Sequence, residues 1–346
     1  MERTLNTVTA NPVLVEYTRG PLVESIHRGA VAVAYADGRL HYACGDIETP
    51  IFARSSLKPL QAISLIETGA ADACGATDAQ IALACASHNG ESCHHDLAAQ
   101  WLGDLGLSES DLACGEAVPM GEQALARFYQ QGEIKGRLYH NCSGKHVGML
   151  AVCAHCGDGV ADYQQHDHPS QQRWLKVLGE MSNLNGSDLP WDYDGCGLTA
   201  PATPLHALAT GLARMANPTG LDTKRQQACE RIHQAVTSHP HLVAGEQRGC
   251  TQVMQALGNK ISVKVGAEGV YAAIVPSLGL GVVLKMDDGA RRSAEVALGG
   301  VLKNLGLLDE DSEGQLAALI HPELKNSRDQ ITGLGRPSKS YLESWK

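Results

Sequence analysis

Residues 29–46 read GAVAVAYADGRLHYACGD. The stretch alternates on both sides of Asp37-Gly38, a two-residue turn signal, small with large residues before it, so it predicts an antiparallel hairpin. Near the other end, 260–265, 269–275 and 281–286 read as successive strands. Asp288-Gly289 marks a turn after them, and 291–305 reads as a helix. The middle carries helical spacing over about 78–86, 92–106, 121–131, 145–156, 168–183, 200–216 and 223–238, with Ser92 and Asp222 as N-caps. Strands at both ends with helices between predict an α+β chain with a discontinuous layout. Residues 1–75 and 245–310 would build a mainly antiparallel sheet flanked by helices, and 76–244 a mainly helical part. The polar segment 311–346 is expected to be a peripheral tail, or an arm on a partner subunit.

The chain has 346 residues, enough for a large core. Only 4% are aromatic and 37 are glycine, so packing must rely on small side chains and close backbone approach. A formal charge of −10 argues against nucleic acid as a partner. No stretch approaches the roughly 20 apolar residues that cross a bilayer, so no membrane partner is expected. The opening MERTLNTVTANPVLVEYTRG lacks the basic-then-apolar pattern of an export signal, which points to the cytoplasm. There the eleven cysteines would be free thiols, not a disulfide framework.

Residues 49–53 lead into a helix whose apolar positions Leu57, Leu60, Ile63 and Ile66 recur at helical spacing until Gly69. Pro59 falls in its first turn, where a missing N–H costs little. Three segments then spell S-x-x-K, S-x-N and K-x-G: Ser55 to Lys58, Ser87 to Asn89 and Lys264 to Gly266. That order is a serine nucleophile activated by lysine. Ser55 and Lys58 share a helix face. A lysine accepts a proton only when neutral, and burial or a second cation lowers its usual pKa of about 10.4. Lys264, flanked by valines on a strand, is that second cation, and Ser87 can pass a proton between the amines. The helix start offers N–H groups to an oxyanion. Each piece has a plainer reading: Ser55 as an N-cap, the lysines as solvated side chains, Ser87 as a helix-end serine. The conjunction of three ordered segments favours the chemistry. Arg54 either anchors a substrate carboxylate or pairs with a nearby acid.

Asn141-Cys142-Ser143-Gly144-Lys145-His146 opens another helix, and Asp194-Gly195-Cys196-Gly197 is a glycine-rich turn. Cys142 and Cys196, with a nitrogen or a carboxylate as further ligand, either form a zinc site with an open position or are two buried free cysteines; a lysine such as Lys145 would be an unusual ligand, though a cation-bound amine loses its proton readily. Cys153 and Cys156 lie too late in their helix for thioredoxin-like use. Cys250, in Arg248-Gly249-Cys250-Thr251, is read as pocket-lining. His94-His95 and the His166-Asp167-His168 run are read as surface residues. There is no H-E-x-x-H, G-x-S-x-G or phosphate-binding loop.

The blocks ARSSLKPLQA, CASHNGE, NCSGKHVGML, DGCGLTAPATPL and VAGEQRGCTQVM closely resemble the rhizobial-type (class 3) L-asparaginases, the asparaginase II family, over about residues 12–305. The resemblance implies a serine β-lactamase-like fold, a dimer, and hydrolysis of L-asparagine to aspartate and ammonia. It implies Ser55 with Lys58 and Ser87 with Lys264 as paired catalytic tandems. It implies a zinc site at Cys142, Lys145 and Cys196. Arg54, Asn89, His146, Asp194 and Cys250 fall at pocket positions. Alternatives are a glutaminase of the same fold, a penicillin-recognising protein, and a non-enzymatic zinc or thiol protein. Val265, where K-[ST]-G has a hydroxyl, speaks against the penicillin reading.

Overall fold

A computed structural model describes residues 10–345 of the chain. Residues 1–9, the start of the stretch read for an export signal, and residue 346 lie outside that range. The strands are β1 (Val13–Arg19), β2 (Leu22–Tyr35), β3 (Leu40–Cys44), β4 (Ile51–Phe52), β5 (Trp191–Tyr193), β6 (Thr199–Thr203), β7 (Ser262–Gly266), β8 (Val270–Val275), β9 (Leu280–Met286), β10 (Glu323–Lys325) and β11 (Ile331–Pro337). The main sheet runs β10-β11-β1-β2-β9-β8-β7, with β3 also paired to β2. Every pairing in it is antiparallel. The architecture is α+β, as the alternation of elements predicts.

The second half of β2 and all of β8 are buried on both faces, because helices cover both sides of the sheet. Leu205–Ala216 packs against β2, β8 and β9, and Arg291–Asn304 packs against β1, β8 and β9. Their runs of Val, Ala and Leu therefore lack a polar face, as expected of strands covered twice.

Four details depart from the sequence reading. The β2–β3 connection spans 36–39, wider than a two-residue turn. A type I′ turn needs positive φ at both central residues, and only Gly38 (φ 89°) has it. The helix expected over 200–216 begins at Leu205, because residues 199–203 form β6 in a small sheet ordered β4-β6-β5. Pro201 and Pro204 hold the residues before them extended, which disfavours helix there. Glu91, not Ser92, caps the next helix, Ser92–Asp104, in a reciprocal pair with His94.

The largest correction concerns 311–346, which is no peripheral tail. β11 pairs with β1 through Val15–Pro337, Glu16–Arg336 and Tyr17–Gly335. The Lys339–Glu343 helix buries Tyr341, and Trp345 stacks on Tyr42 at 3.7 Å between ring centroids. The segment shields an edge of the sheet that would otherwise present unpaired backbone groups.

Candidate active site

The turn Arg54–Leu57 is a single 3₁₀ turn leading directly into the helix Lys58–Glu67. Arg54 sits at φ 55°, a left-handed conformation that costs a non-glycine residue energy and recurs at functional sites. Ser56 turns inward and its hydroxyl donates to the Ala53 carbonyl at 2.7 Å. Ser55 is half-buried, and its hydroxyl makes no hydrogen bond among the described residues. Ser55 and Lys58, expected to share a helix face, are thus not joined by a hydrogen bond.

The lysines meet at Ser87 instead. Lys58 Nζ and Lys264 Nζ each lie 3.0 Å from Ser87 Oγ. Lys58 is 0% exposed and also donates to the Ala86 carbonyl and to Cys142 Sγ, the latter at 3.2 Å. Lys264, 3% exposed, donates to the Val265 carbonyl at 2.8 Å. Burial lowers the Lys58 pKa, and the Lys145 charge adds to the effect. Burial, with the nearby Lys58 charge, lowers Lys264 to about 7. A hydroxyl between two such amines donates to whichever is neutral and accepts from whichever is charged, which is the geometry of a proton relay.

The close fit of strand and turn explains the glycine of K-x-G. A Cβ on Gly266 would stand 2.6 Å from the Ala53 carbonyl oxygen. Gly266→Ala should therefore push β7 off the serine turn and lower kcat about 10²-fold, the scale of a misplacement near 1 Å. Steady-state kinetics on a variant with unchanged circular dichroism would test this; kcat within twofold of wild type would refute it.

The remaining expected residues fall into two groups. Arg54 pairs with an acid: its Nε donates to Asp194 Oδ1 at 2.6 Å. Burial would raise the Asp194 carboxyl, but Lys145 and Arg54 outweigh it and hold it below its ordinary value. Lys145 Nζ lies 3.1 Å from Cys196 Sγ. Burial opposes the Lys145 charge, yet the Cys196 and Cys142 sulfurs and Asp194 keep its pKa raised. Cys142 is the more acidic thiol of the Cys142–Cys196 pair. A hydrogen bond from Cys196, then the Lys58 and Lys145 charges, carry its pKa well down against burial. His146 is fully buried, with Nδ1 on the Tyr163 hydroxyl at 2.5 Å and Nε2 unpartnered.

Asn89 and Cys250 are committed to the protein interior. The Asn89 amide donates to Glu91 Oε1 (2.9 Å) and the Glu246 carbonyl (3.0 Å), and accepts from Arg248 (2.9 Å). Cys250 Sγ accepts the Val265 N–H at 3.2 Å and lies 3.4 Å from the Tyr271 hydroxyl. Both hold the site's loops in place. The sequence reading quoted Arg248 and Ser143 inside its motif blocks but gave neither a role, although Ser143 lies 3.0 Å from His88 Nε2, and it missed Tyr163, whose flanks carry no motif. It also put His94 on the surface. His94 is 0% exposed, because its ring stacks against His88 at 4.7 Å.

The site thus joins two buried amines at one hydroxyl, beside a mainly antiparallel sheet flanked by helices. The family model described as L-asparaginase II matches residues 15–337, and the chain belongs to that family of amidohydrolases acting on small molecules. The match extends through β11, past the 305 where the motif resemblance ends. Among solved structures the chain is similar to a β-lactamase from Mycobacterium bovis, with 16% identity, a TM-score of 0.40, and 80% of this chain and 94% of that one covered. No curated protein matches the sequence. Among the described residues no helix is long and apolar enough to cross a membrane.

Proposed function

We propose that this protein hydrolyses L-asparagine to L-aspartate and ammonia through an acyl-enzyme on Ser55. The observation that carries the reading is the Ser87 hydroxyl held 3.0 Å from each of two buried amines, beside the strained turn that bears Ser55. The Ser55 oxygen attacks the side-chain carboxamide carbon, and its proton passes to a neutral Lys58. The carbon–nitrogen bond then breaks. Ser87, linked to neutral Lys264, hands a proton to the departing ammonia and regains one from Lys58. Water adds to the ester by the reverse route, freeing the aspartate side chain and Ser55. Arg54, Asp194 and His146 supply the charged and polar wall against which an amino-acid zwitterion can rest.

One observation favours a second assignment within this chemistry. Ser87, not Ser55, touches both amines, so Ser87 is the alternative nucleophile. Mapping the adduct left by a diazoketone analogue of asparagine decides between them: the proposal expects the label on Ser55, and a label on Ser87 would transfer the role. Ammonia release from L-asparagine and from L-glutamine, assayed in parallel, tests the substrate. One methylene is worth only about 1–3 kcal/mol, so glutamine turnover is expected at about 10–200-fold lower kcat/KM. Equal rates on the two amides, or no release from asparagine, would overturn the assignment.

The pH dependence follows from the amines. Lys264 is lowered to about 7 chiefly by burial. Below that pH it is protonated, Ser87 is flanked by a cation there, and the relay has lost an acceptor. The expected result is a kcat/KM that falls about tenfold per pH unit below pH 7. A profile flat down to pH 5 would refute the relay.

The Cys142, Cys196 and Lys145 group suits a zinc-class ion. Both sulfurs are buried, the Cys142 thiol is shifted well down, and the amine stands 3.1 Å from Cys196 Sγ. Those three residues would hold zinc, which supplies a Lewis acid and fixed positive charge at the pocket wall. Binding would release the thiol and Lys145 protons. Cys142→Ser with Cys196→Ser is expected to lose that zinc and to raise KM; unchanged zinc content and KM would refute the assignment. The family resemblance also leads us to propose a cytoplasmic homodimer, testable by sedimentation and cell fractionation.

A further inference from the structure

We propose that Glu91, Cys93, His94 and His241 form a binding site for a zinc-class divalent cation, separate from the Cys142–Cys196 pair. One carboxylate oxygen, one sulfur and two imidazole nitrogens lie within 4.8 Å of one another. A tetrahedral zinc with bonds of about 2.0–2.3 Å spaces its donors about 3.3–3.8 Å apart, so small side-chain rotations close the present set around an ion. Two of the spacings are already short. His241 Nε2 is 2.6 Å from Glu91 Oε2, and His94 Nδ1 is 3.6 Å from Cys93 Sγ.

The donors are oriented by a second layer of hydrogen bonds, the arrangement that tunes metal ligands. His94 Nε2 lies 3.0 Å from the His241 carbonyl oxygen, to which it donates. That fixes the tautomer and leaves the Nδ1 lone pair facing Cys93 and the Glu91 N–H, 3.2 Å away. Glu91 Oε1 accepts from Asn89 Nδ2 and the Glu246 N–H, at 2.9 and 2.8 Å, which frees Oε2 for an ion. An ion would take over Nδ1 and give up the capping bond from Glu91.

Charge decides the class of ligand. Glu91 caps the Ser92–Asp104 helix, whose positive dipole end repels cations. The Glu91 carboxylate and a Cys93 thiolate together cancel a charge of +2. The mixed nitrogen, oxygen and sulfur set suits zinc and rejects calcium or magnesium, which take oxygen donors. Access is open: Glu91, Cys93 and His241 all line a cleft of about 1190 Å³. The site also reaches the chemistry, because Glu91 holds Asn89 and Asn89 holds Arg248, which donates to the Ser87 carbonyl.

The test uses the full-length protein stripped with chelator and titrated with Co²⁺ and Zn²⁺. In the Cys142→Ser/Cys196→Ser variant, cobalt should still give thiolate-to-metal charge-transfer absorption, and adding Cys93→Ser should abolish it. In the wild-type background, Cys93→Ser alters an exposed residue and should leave the fold intact. It should weaken one zinc equivalent at least tenfold in chelator competition, as should His241→Ala. Absence of the cobalt band in a folded double variant, or zinc affinity and stoichiometry unmoved by Cys93→Ser and His241→Ala, would overturn the proposal. If the double variant does not fold, the competition in the wild-type background alone decides between the two outcomes.

Discussion

Ser55→Ala is expected to lower asparagine turnover by at least about 10³-fold, in line with losing a nucleophile. The variant should remain as stable as wild type to within about 0.5 kcal/mol, because the Ser55 hydroxyl is half-buried and makes no hydrogen bond among the described residues. That combination separates a chemical role from a structural one. An N-cap serine would behave in the opposite way, losing about 1 kcal/mol of stability and little rate. The turn begins from Ala53 with no side-chain cap, so nothing structural depends on the oxygen of Ser55. Rate assays with thermal melts check both halves. A Ser55→Ala enzyme within tenfold of wild-type turnover, beside an inactive Ser87→Ala enzyme, would move the nucleophile to Ser87.

Lys58→Met should cost about 10²–10⁴-fold in kcat, the range typical of a general base. The more telling variant is Lys58→Arg. Arginine keeps a cation in the pocket but cannot become neutral at any accessible pH. If Lys58 worked only by its charge, Arg would rescue much of the rate. If it takes a proton, Arg should be as inactive as Met at every pH. Burial is what makes the lysine available as a base: it is 0% exposed and its pKa is lowered. Removing it leaves the Ala86 carbonyl and Ser87 short of a donor, at a cost of about 1–3 kcal/mol. The Met variant is therefore compared with wild type well below its melting temperature. Rescue of kcat by Arg to within tenfold of wild type would refute the base role.

Much of the fold was legible because it is written in local periods. The alternation of β2 and β3, the strands before Met286 and the helices at 223–238 and 291–304 all emerge where their spacing puts them. The misreadings have local causes too. Gly333 and Gly335 interrupt the apolar alternation of β11, so a strand of the main sheet looks like a polar tail. The prolines within 199–204 hide a short strand at the start of an apolar run. His94 looks like a polar surface residue because nothing near it in sequence announces the stacking partner His88 or the His241 carbonyl.

The chain by itself determined which residue types are available and where they fall on their own elements: a serine and a lysine three apart, a second serine after a helix, a lysine inside a valine-flanked strand, and a glycine two residues on. Only the tertiary structure decided that Lys58 and Lys264, 206 positions apart in sequence, share the Ser87 hydroxyl, that Arg54 faces Asp194, and that His241 joins Glu91. The division has a physical origin. Periodicity is set by backbone geometry within a few residues. The protonation of an amine depends on the water it loses and the charges brought beside it, and both are fixed by packing between segments remote in sequence.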